Sequence, residues 1–201
     1  MPMRVAVCIS GRGSNMVALL DALAGDAPAR VVLVISDRPD AGGLAHARER
    51  GIPTAVLRNP ADADEWLALL LAEAVELVVL AGFLKLVPAA VVARYRGRIV
   101  NIHPALLPAF GGPGMYGARV HRAVLASGAT ESGATVHLVD EVYDRGTILA
   151  QERVPVCAGD TPERLAERVL EAEHRLLPAV VLAAARTGHP VPLPSPLESS
   201  R

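Results

Sequence analysis

The first 100 residues alternate between two patterns that few folds satisfy. Continuous apolar runs, rich in β-branched residues, occupy positions 5–9, 31–35, 55–57, 77–81 and 99–102. Between them lie segments with apolar residues at helical spacing, 14–23, 44–50, 62–74 and 88–95. A strand with one wet face alternates apolar and polar residues, whereas an unbroken apolar run needs cover on both faces. Such strands, separated by amphipathic helices, predict an α/β fold: a parallel sheet covered on both sides, with right-handed crossovers.

The pattern changes after Asn101. A Gly/Pro-rich loop spans 104–117, and a helix is expected over 118–126. Two longer apolar segments follow, 134–139 and 147–156. They either pair as a hairpin or give the sheet a mixed edge by reversing one strand. Thr161-Pro162-Glu163 opens the last helix with an N-cap, a proline at the first helical position and an acid in the first turn. That helix is expected to reach about residue 185, with a kink at Pro178. Residues 1–187 therefore read as one domain, with a nucleotide- or phosphate-binding half, 1–100, and a catalytic half, 101–187. Pro190, Pro192, Pro194 and Pro196 mark 188–201 as a Pro-rich flexible tail.

Bulk properties narrow the function. At 201 residues the chain has the size of one large domain, and 51% hydrophobic residues supply a core. No apolar run approaches the roughly 18 residues of a membrane span. Met1-Pro2-Met3-Arg4 leads directly into an apolar strand without the pattern of a secretory signal, so a cytoplasmic location is expected. The net charge is -1 and no Lys/Arg block stands out, which argues against nucleic acid and means that an anionic ligand is held locally. Cys8 and Cys157 both fall in strand-like segments and lack metal-site or disulfide spacing; buried thiols are expected.

Two segments carry chemistry. At the first strand-to-helix junction stands Cys8-Ile9-Ser10-Gly11-Arg12-Gly13-Ser14-Asn15. Glycines there let the backbone approach a ligand, and the free N–H groups and positive dipole end of the next helix favour an anion. Ser14 and Asn15 add donors and Arg12 a charge, so a phosphate monoester fits. A dinucleotide fingerprint needs a third glycine where Met16 stands, so that reading fails despite Asp37 after the second strand. A Gly-rich turn with no ligand is the plainer alternative.

The second segment is Asn101-Ile102-His103-Pro104. Residues two apart on a strand share a face, so an amide lies beside an imidazole. The imidazole exchanges a proton near neutral pH, and the amide donates to an oxygen that turns negative as a carbonyl is attacked. Asp144 is the candidate partner, because a carboxylate near the ring raises its pKa and fixes its tautomer. Taken alone, Asn-x-His-Pro is better read as a strand end followed by a loop.

These segments, with Leu80-Ala81-Gly82-Phe83-Leu84-Lys85-Leu86, Gly133-Ala134-Thr135-Val136-His137 and the stretch 139–146, occur in one order along the chain. Together they resemble the phosphoribosylglycinamide formyltransferases, folate-dependent transferases of purine biosynthesis and one-carbon metabolism. The resemblance implies a Rossmann-like formyltransferase fold, a mostly parallel seven-stranded sheet with helices on both faces, as a single domain over 1–187. It implies catalysis by Asn101, His103 and Asp144, with the substrate phosphate on Gly13, Ser14 and Asn15 and its ribose hydroxyls on Glu173. Leu84, Lys85, Leu86 and Val87, with Asn101 and the loop 139–144, would form the folate pocket of the 101–187 half. Lys85 stands where many relatives have Arg, Asp64 where some have a basic residue near the folate tail, and the loop 111–117 is longer than in compact members.

The implied reaction moves a formyl group from 10-formyltetrahydrofolate, a cosubstrate, to the amine of phosphoribosylglycinamide, giving formylglycinamide ribonucleotide and tetrahydrofolate. No metal is expected, and the partners are small molecules rather than nucleic acid or membrane, with a monomer or homodimer. The rivals are a 10-formyltetrahydrofolate hydrolase, a methionyl-tRNA formylating enzyme, which would want a basic C-terminal domain, and a non-catalytic nucleotide-binding module, which leaves Asn101, His103 and Asp144 without purpose. Among the other histidines, His121 is divided between substrate contact and the surface. His137 reads as a hydrogen-bonded core residue that supports the site.

Overall fold

The unbroken apolar runs become strands covered on both faces. The computed structural model describes residues 1–194. In order it contains β1 Met3–Ile9, α1 Ser14–Ala22, β2 Ala29–Ser36, α2 Gly42–Glu49, β3 Thr54–Val56, α3 Ala63–Ala72 and β4 Leu77–Leu80. Then come α4 Ala89–Arg94, β5 Ile99–His103, α5 Ala118–Ala126, β6 Glu131–Leu138, β7 Ile148–Pro155 and α6 Pro162–Thr187. Val5, Val7 and Ile9 of β1 pack with Met16 and Leu19 of α1 and with Val169 and Leu177 of α6. The alternate residues Ala6 and Cys8 face Trp66 and Leu70 of α3 and Val91 of α4. Two cores, one on each side of the sheet, explain why β1 has no polar face.

The seven strands lie in the order β3-β2-β1-β4-β5-β6-β7. β1 to β5 are parallel, while β6 runs antiparallel to both β5 and β7. Both arrangements left open by the sequence therefore occur at once: the last two strands form a hairpin, and β6 gives the sheet its mixed edge. The strand order reverses at β1, which has β2 on one side and β4 on the other. In open α/β sheets ligands sit at the carboxyl ends of strands beside such a switch. The β1–α1 turn, the segment after β4 and the end of β5 all open there.

Local signals set the helix ends. Asp62 caps α3 by accepting the N–H groups of Asp64 at 3.0 Å and Glu65 at 3.3 Å. Thr161 accepts the Arg164 N–H at 3.3 Å to start α6. That helix continues through Pro178 to Thr187, past the expected end, because Gly188 at φ 82° supplies the left-handed stop. Trp66 is fully buried, donates Nε1–H to the Pro60 carbonyl at 3.0 Å and meets Phe83 edge-on at 5.3 Å, bracing the segment that follows β4. No described helix is long and apolar enough to cross a membrane.

Two expectations need correction. Cys8 is buried, but Cys157 lies beyond β7 and is exposed, because the strand ends at Pro155. The Pro-rich segment is not free over its described part: the Leu193 N–H donates to the Leu149 carbonyl of β7 at 2.7 Å, and the Leu193 side chain packs on the core. Residues 195–201, the rest of the expected tail, lie outside the described residues. Ending the chain at Gly188 is expected to lower stability by about 1–3 kcal/mol, the scale of one buried Leu and one hydrogen bond. Thermal unfolding of the truncated chain checks this; an unchanged midpoint would show that the segment contributes nothing.

Candidate active site

The end of β5 sets the chemistry. Asn101 is half-buried and His103 is 3% exposed. Antiparallel pairing with β6 places His137 opposite Asn101 and Thr135 opposite His103. His137 Nδ1 lies 2.8 Å from the Leu138 carbonyl, which can only accept, so Nδ1 carries the proton. Its Nε2 then accepts from the Asn101 amide at 3.1 Å, which orients that amide. Thr135 donates to the Ala105 carbonyl at 2.6 Å and accepts the Leu107 N–H at 3.1 Å, pinning the chain just after His103.

Asp144 reaches this group from the β6–β7 loop. Its Oδ2 accepts the Gly112 N–H at 2.8 Å and lies 3.7 Å from His103 Nδ1; its Oδ1 lies 3.4 Å from His137 Nε2. The carboxylate therefore sits between two imidazoles. Burial raises its pKa, but the nearness of the His137 ring, the hydrogen bond from the Gly112 N–H and the nearness of the His103 ring outweigh that and hold it below the usual carboxylate value.

His103 departs from expectation in two respects. Its tautomer is set by Phe110, whose carbonyl lies 2.8 Å from Nε2, so the neutral ring carries its proton there and turns Nδ1 toward Asp144. Its pKa is lowered, because burial outweighs the raising effects of Asp144 and the Phe110 carbonyl. Desolvation penalises the charged ring, and Asp144 is not close enough to compensate. His121 is 5% exposed and lines the cavity instead of the surface, with its pKa lowered chiefly by burial and its Nδ1 without a partner among the described residues.

The β1–α1 turn leaves a helix end open. Gly13, at φ 76°, is the N-cap of α1, and no side chain caps the helix. Its first N–H groups are thus available to an anion. Met16, at the place of the missing third glycine, is fully buried beneath the turn. Asn15 abuts Glu173 of α6; burial pushes that carboxyl up to about 7, with the Asn15 hydrogen bond pulling the other way.

The segment after β4 forms another wall. Leu84, Lys85 and Leu86 are exposed and Val87 is buried. Val142 and Tyr143 of the β6–β7 loop are also exposed, so large apolar side chains border the opening without cover. Ser10 joins this wall to the β1–α1 turn: its N–H donates to the Gly82 carbonyl at 3.1 Å and its Oγ accepts the Leu84 N–H at 2.9 Å.

A single cavity of about 850 Å³ is lined by Gly13, Ser14, Asn15, Leu84, Lys85, Leu86, Val87, Asn101, His103, Asp144 and Glu173. These are all the site residues named from the sequence. Asp64 is not among the lining residues; it lies in the first turn of α3. Reading the sequence missed Ser10, Phe110, Gly112 and Thr135, whose roles arise from contacts between segments distant in the chain.

Residues 3–181 match the formyl transferase family. The chain is 48% identical over 186 residues to the chloroplastic phosphoribosylglycinamide formyltransferase of Arabidopsis thaliana, covering 89% of this chain and 64% of the relative's length. It is 45% identical over 193 residues to the phosphoribosylglycinamide formyltransferase of Mycobacterium tuberculosis (strain CDC 1551 / Oshkosh), covering 93% and 87%. The crystal structure of phosphoribosylglycinamide formyltransferase from Anaplasma phagocytophilum superposes with a TM-score of 0.87 at 39% identity, covering 93% of this chain and 88% of that one. The seven-stranded sheet, the polar group at the end of β5 and a match over nearly the whole described chain agree: the chain belongs to the formyl transferase family.

Proposed function

We propose that this chain transfers a formyl group from 10-formyltetrahydrofolate to the primary amine of phosphoribosylglycinamide, giving formylglycinamide ribonucleotide and tetrahydrofolate. The observation that carries the proposal is that one cavity contains both an uncapped helix N-terminus, suited to a phosphate, and the group Asn101, His103 and Asp144. A hydrolase or a binding module accounts for one of these features but not for both. The exposed apolar residues at 84, 86, 142 and 143 suit the faces of a flat pterin ring.

The neutral amine attacks the formyl carbon, and the carbonyl oxygen becomes an oxyanion. Asn101 donates an amide N–H to that oxygen. The proton lost by the attacking nitrogen goes to the folate nitrogen as the carbon–nitrogen bond to folate breaks, and His103 carries it. Both ring nitrogens of His103 face protein groups at rest, so the Phe110 contact must open for the ring to serve substrate. Phe110 sits at φ 57°, a conformation that costs a residue of this kind about 1–3 kcal/mol. Asp144, held ionised, stabilises the imidazolium formed on the way.

Purified protein given 10-formyltetrahydrofolate with and without phosphoribosylglycinamide tests the reading. Tetrahydrofolate release that depends on the amine is expected; release without it would mean a hydrolase, and none at all a binding module. A cytoplasmic location and a monomer or homodimer belong to the same proposal, and cell fractionation and sedimentation check them.

Glu173 makes the nucleotide's KM depend on pH. Ribose hydroxyls donate to a carboxylate, and the ionised fraction of this carboxyl falls as pH drops through about 7. The KM for phosphoribosylglycinamide is expected to rise below that pH and to become high and flat in Glu173→Gln. The same raised pKa means that stability falls as pH rises from the ordinary carboxyl value toward 7, because the folded state holds the proton that the unfolded chain has lost. A nucleotide KM independent of pH in the unaltered protein would remove Glu173 from the ribose site.

A further inference from the structure

Behind the phosphate turn, the two βα turns touch through bare backbone. The Gly43 N–H, in the first turn of α2, donates to the Gly11 carbonyl at 3.1 Å. A Cβ built on Gly13 would stand 2.9 Å from the Gly43 Cα, and one built on Gly43 would stand 3.1 Å from the Gly13 Cα and 3.3 Å from the Arg12 carbonyl oxygen. Gly43 does not line the cavity. Its contacts are with the backbone of Gly11, Arg12 and Gly13, all three of which line the cavity.

We propose that Gly43 is a positioning residue for the substrate phosphate: its hydrogen bond and its missing side chain together set the height of the Gly11 to Gly13 backbone, and so where the first N–H groups of α1 point. The inference deepens the assignment of this turn to the nucleotide phosphate and rests on it. Hydrogen bonds to an anion weaken steeply once distance and angle leave their narrow range. A side chain at Gly43 moves the turn toward the ligand or α2 away from it, and either displaces the donors.

The contacts of an added methyl group separate packing from positioning. The shortest, 2.5 Å, is to Ile9 Cδ1, the free end of a core side chain. Ile9→Val removes that atom and relieves the core, while the contacts with the Gly13 and Arg12 backbone stay. Gly42→Ala is the control, since its nearest neighbour, the Arg12 Cα, lies at an ordinary 3.8 Å.

The experiment compares the unaltered protein, Gly42→Ala, Ile9→Val and the double variant Ile9→Val with Gly43→Ala. Inorganic phosphate is the probe for thermal stabilisation, and both substrates are used for kinetics. The double variant is expected to raise the KM for phosphoribosylglycinamide roughly tenfold, about the loss of one charge-assisted hydrogen bond. Its folate KM and kcat should match those of Ile9→Val. Stabilisation by phosphate should shrink in the double variant and persist in Gly42→Ala. Equal nucleotide KM values in the double variant and Ile9→Val, or a parallel rise in both substrates' KM values, would overturn the proposal. If the unaltered protein binds inorganic phosphate but does not turn over the nucleotide, the function reading fails, and the phosphate comparison still decides the role of Gly43.

Discussion

His103→Ala is expected to lower kcat by about 10²–10⁴-fold, the range for a positioned acid or base, while both KM values stay within a few-fold of their original values. The ring is nearly enclosed, bonded to Phe110 and faced by Asp144, so its loss removes a positioned group. In the proposed function the Gly11 to Asn15 turn and Glu173 hold the nucleotide from other elements, which is why its affinity should survive. Asn101→Ala should cost about 10²–10³ in kcat, as for the loss of one donor to a developing oxyanion. Steady-state kinetics on folded protein decide both. A variant at position 103 with near-normal kcat would end the assignment of the proton to that ring.

Asp144→Asn is expected to reduce kcat by about 10²–10⁴-fold and to move the acid limb of the pH profile to lower pH. The sign follows from the site: Asp144 raises the His103 pKa against the larger lowering by burial, so removing its charge lowers that pKa further. Asparagine is the informative replacement because Asp144 sits at φ 54°, a conformation that Asn tolerates and bulkier residues avoid. The Gly112 N–H keeps an acceptor in Asn, so the loop should hold its shape while the charge is lost. The pH dependence of kcat checks this. An unmoved acid limb at full rate would mean that the carboxylate does not influence the ring.

Local residues announced much of this site, each for a local reason. The open start of α1 at the Gly11 to Asn15 turn was legible because a glycine-rich turn between a buried strand and a helix leaves the first N–H groups without a side-chain cap. Asn101 and His103 were legible because strand alternation puts residues two apart on one side. Glu173 and the 84–87 wall were reached through the family resemblance, and the cavity brings them to the same place. His137 was read as a supporting residue, and its bonds to Asn101 and Leu138 suit that role. The fate of His121 depended on how α5 meets the cavity, which helical spacing does not encode. The direction of the His103 shift was misjudged because a neighbouring carboxylate is visible in sequence, whereas the loss of surrounding water is not.

The sequence by itself determined the α/β alternation, the absence of a polar face on β1, the start of α6 at Thr161 and the chemical types available for catalysis. These follow from the period of apolar residues, from capping and from side-chain chemistry, all properties of a short stretch of chain. Only the tertiary structure decided that β6 runs against β5 and sets His137 beside Asn101, that Asp144 stands between two imidazoles, and that Phe110 holds the His103 ring. Those facts depend on strand order, register and burial. They are set by how distant segments fill a shared volume, and no local pattern records that.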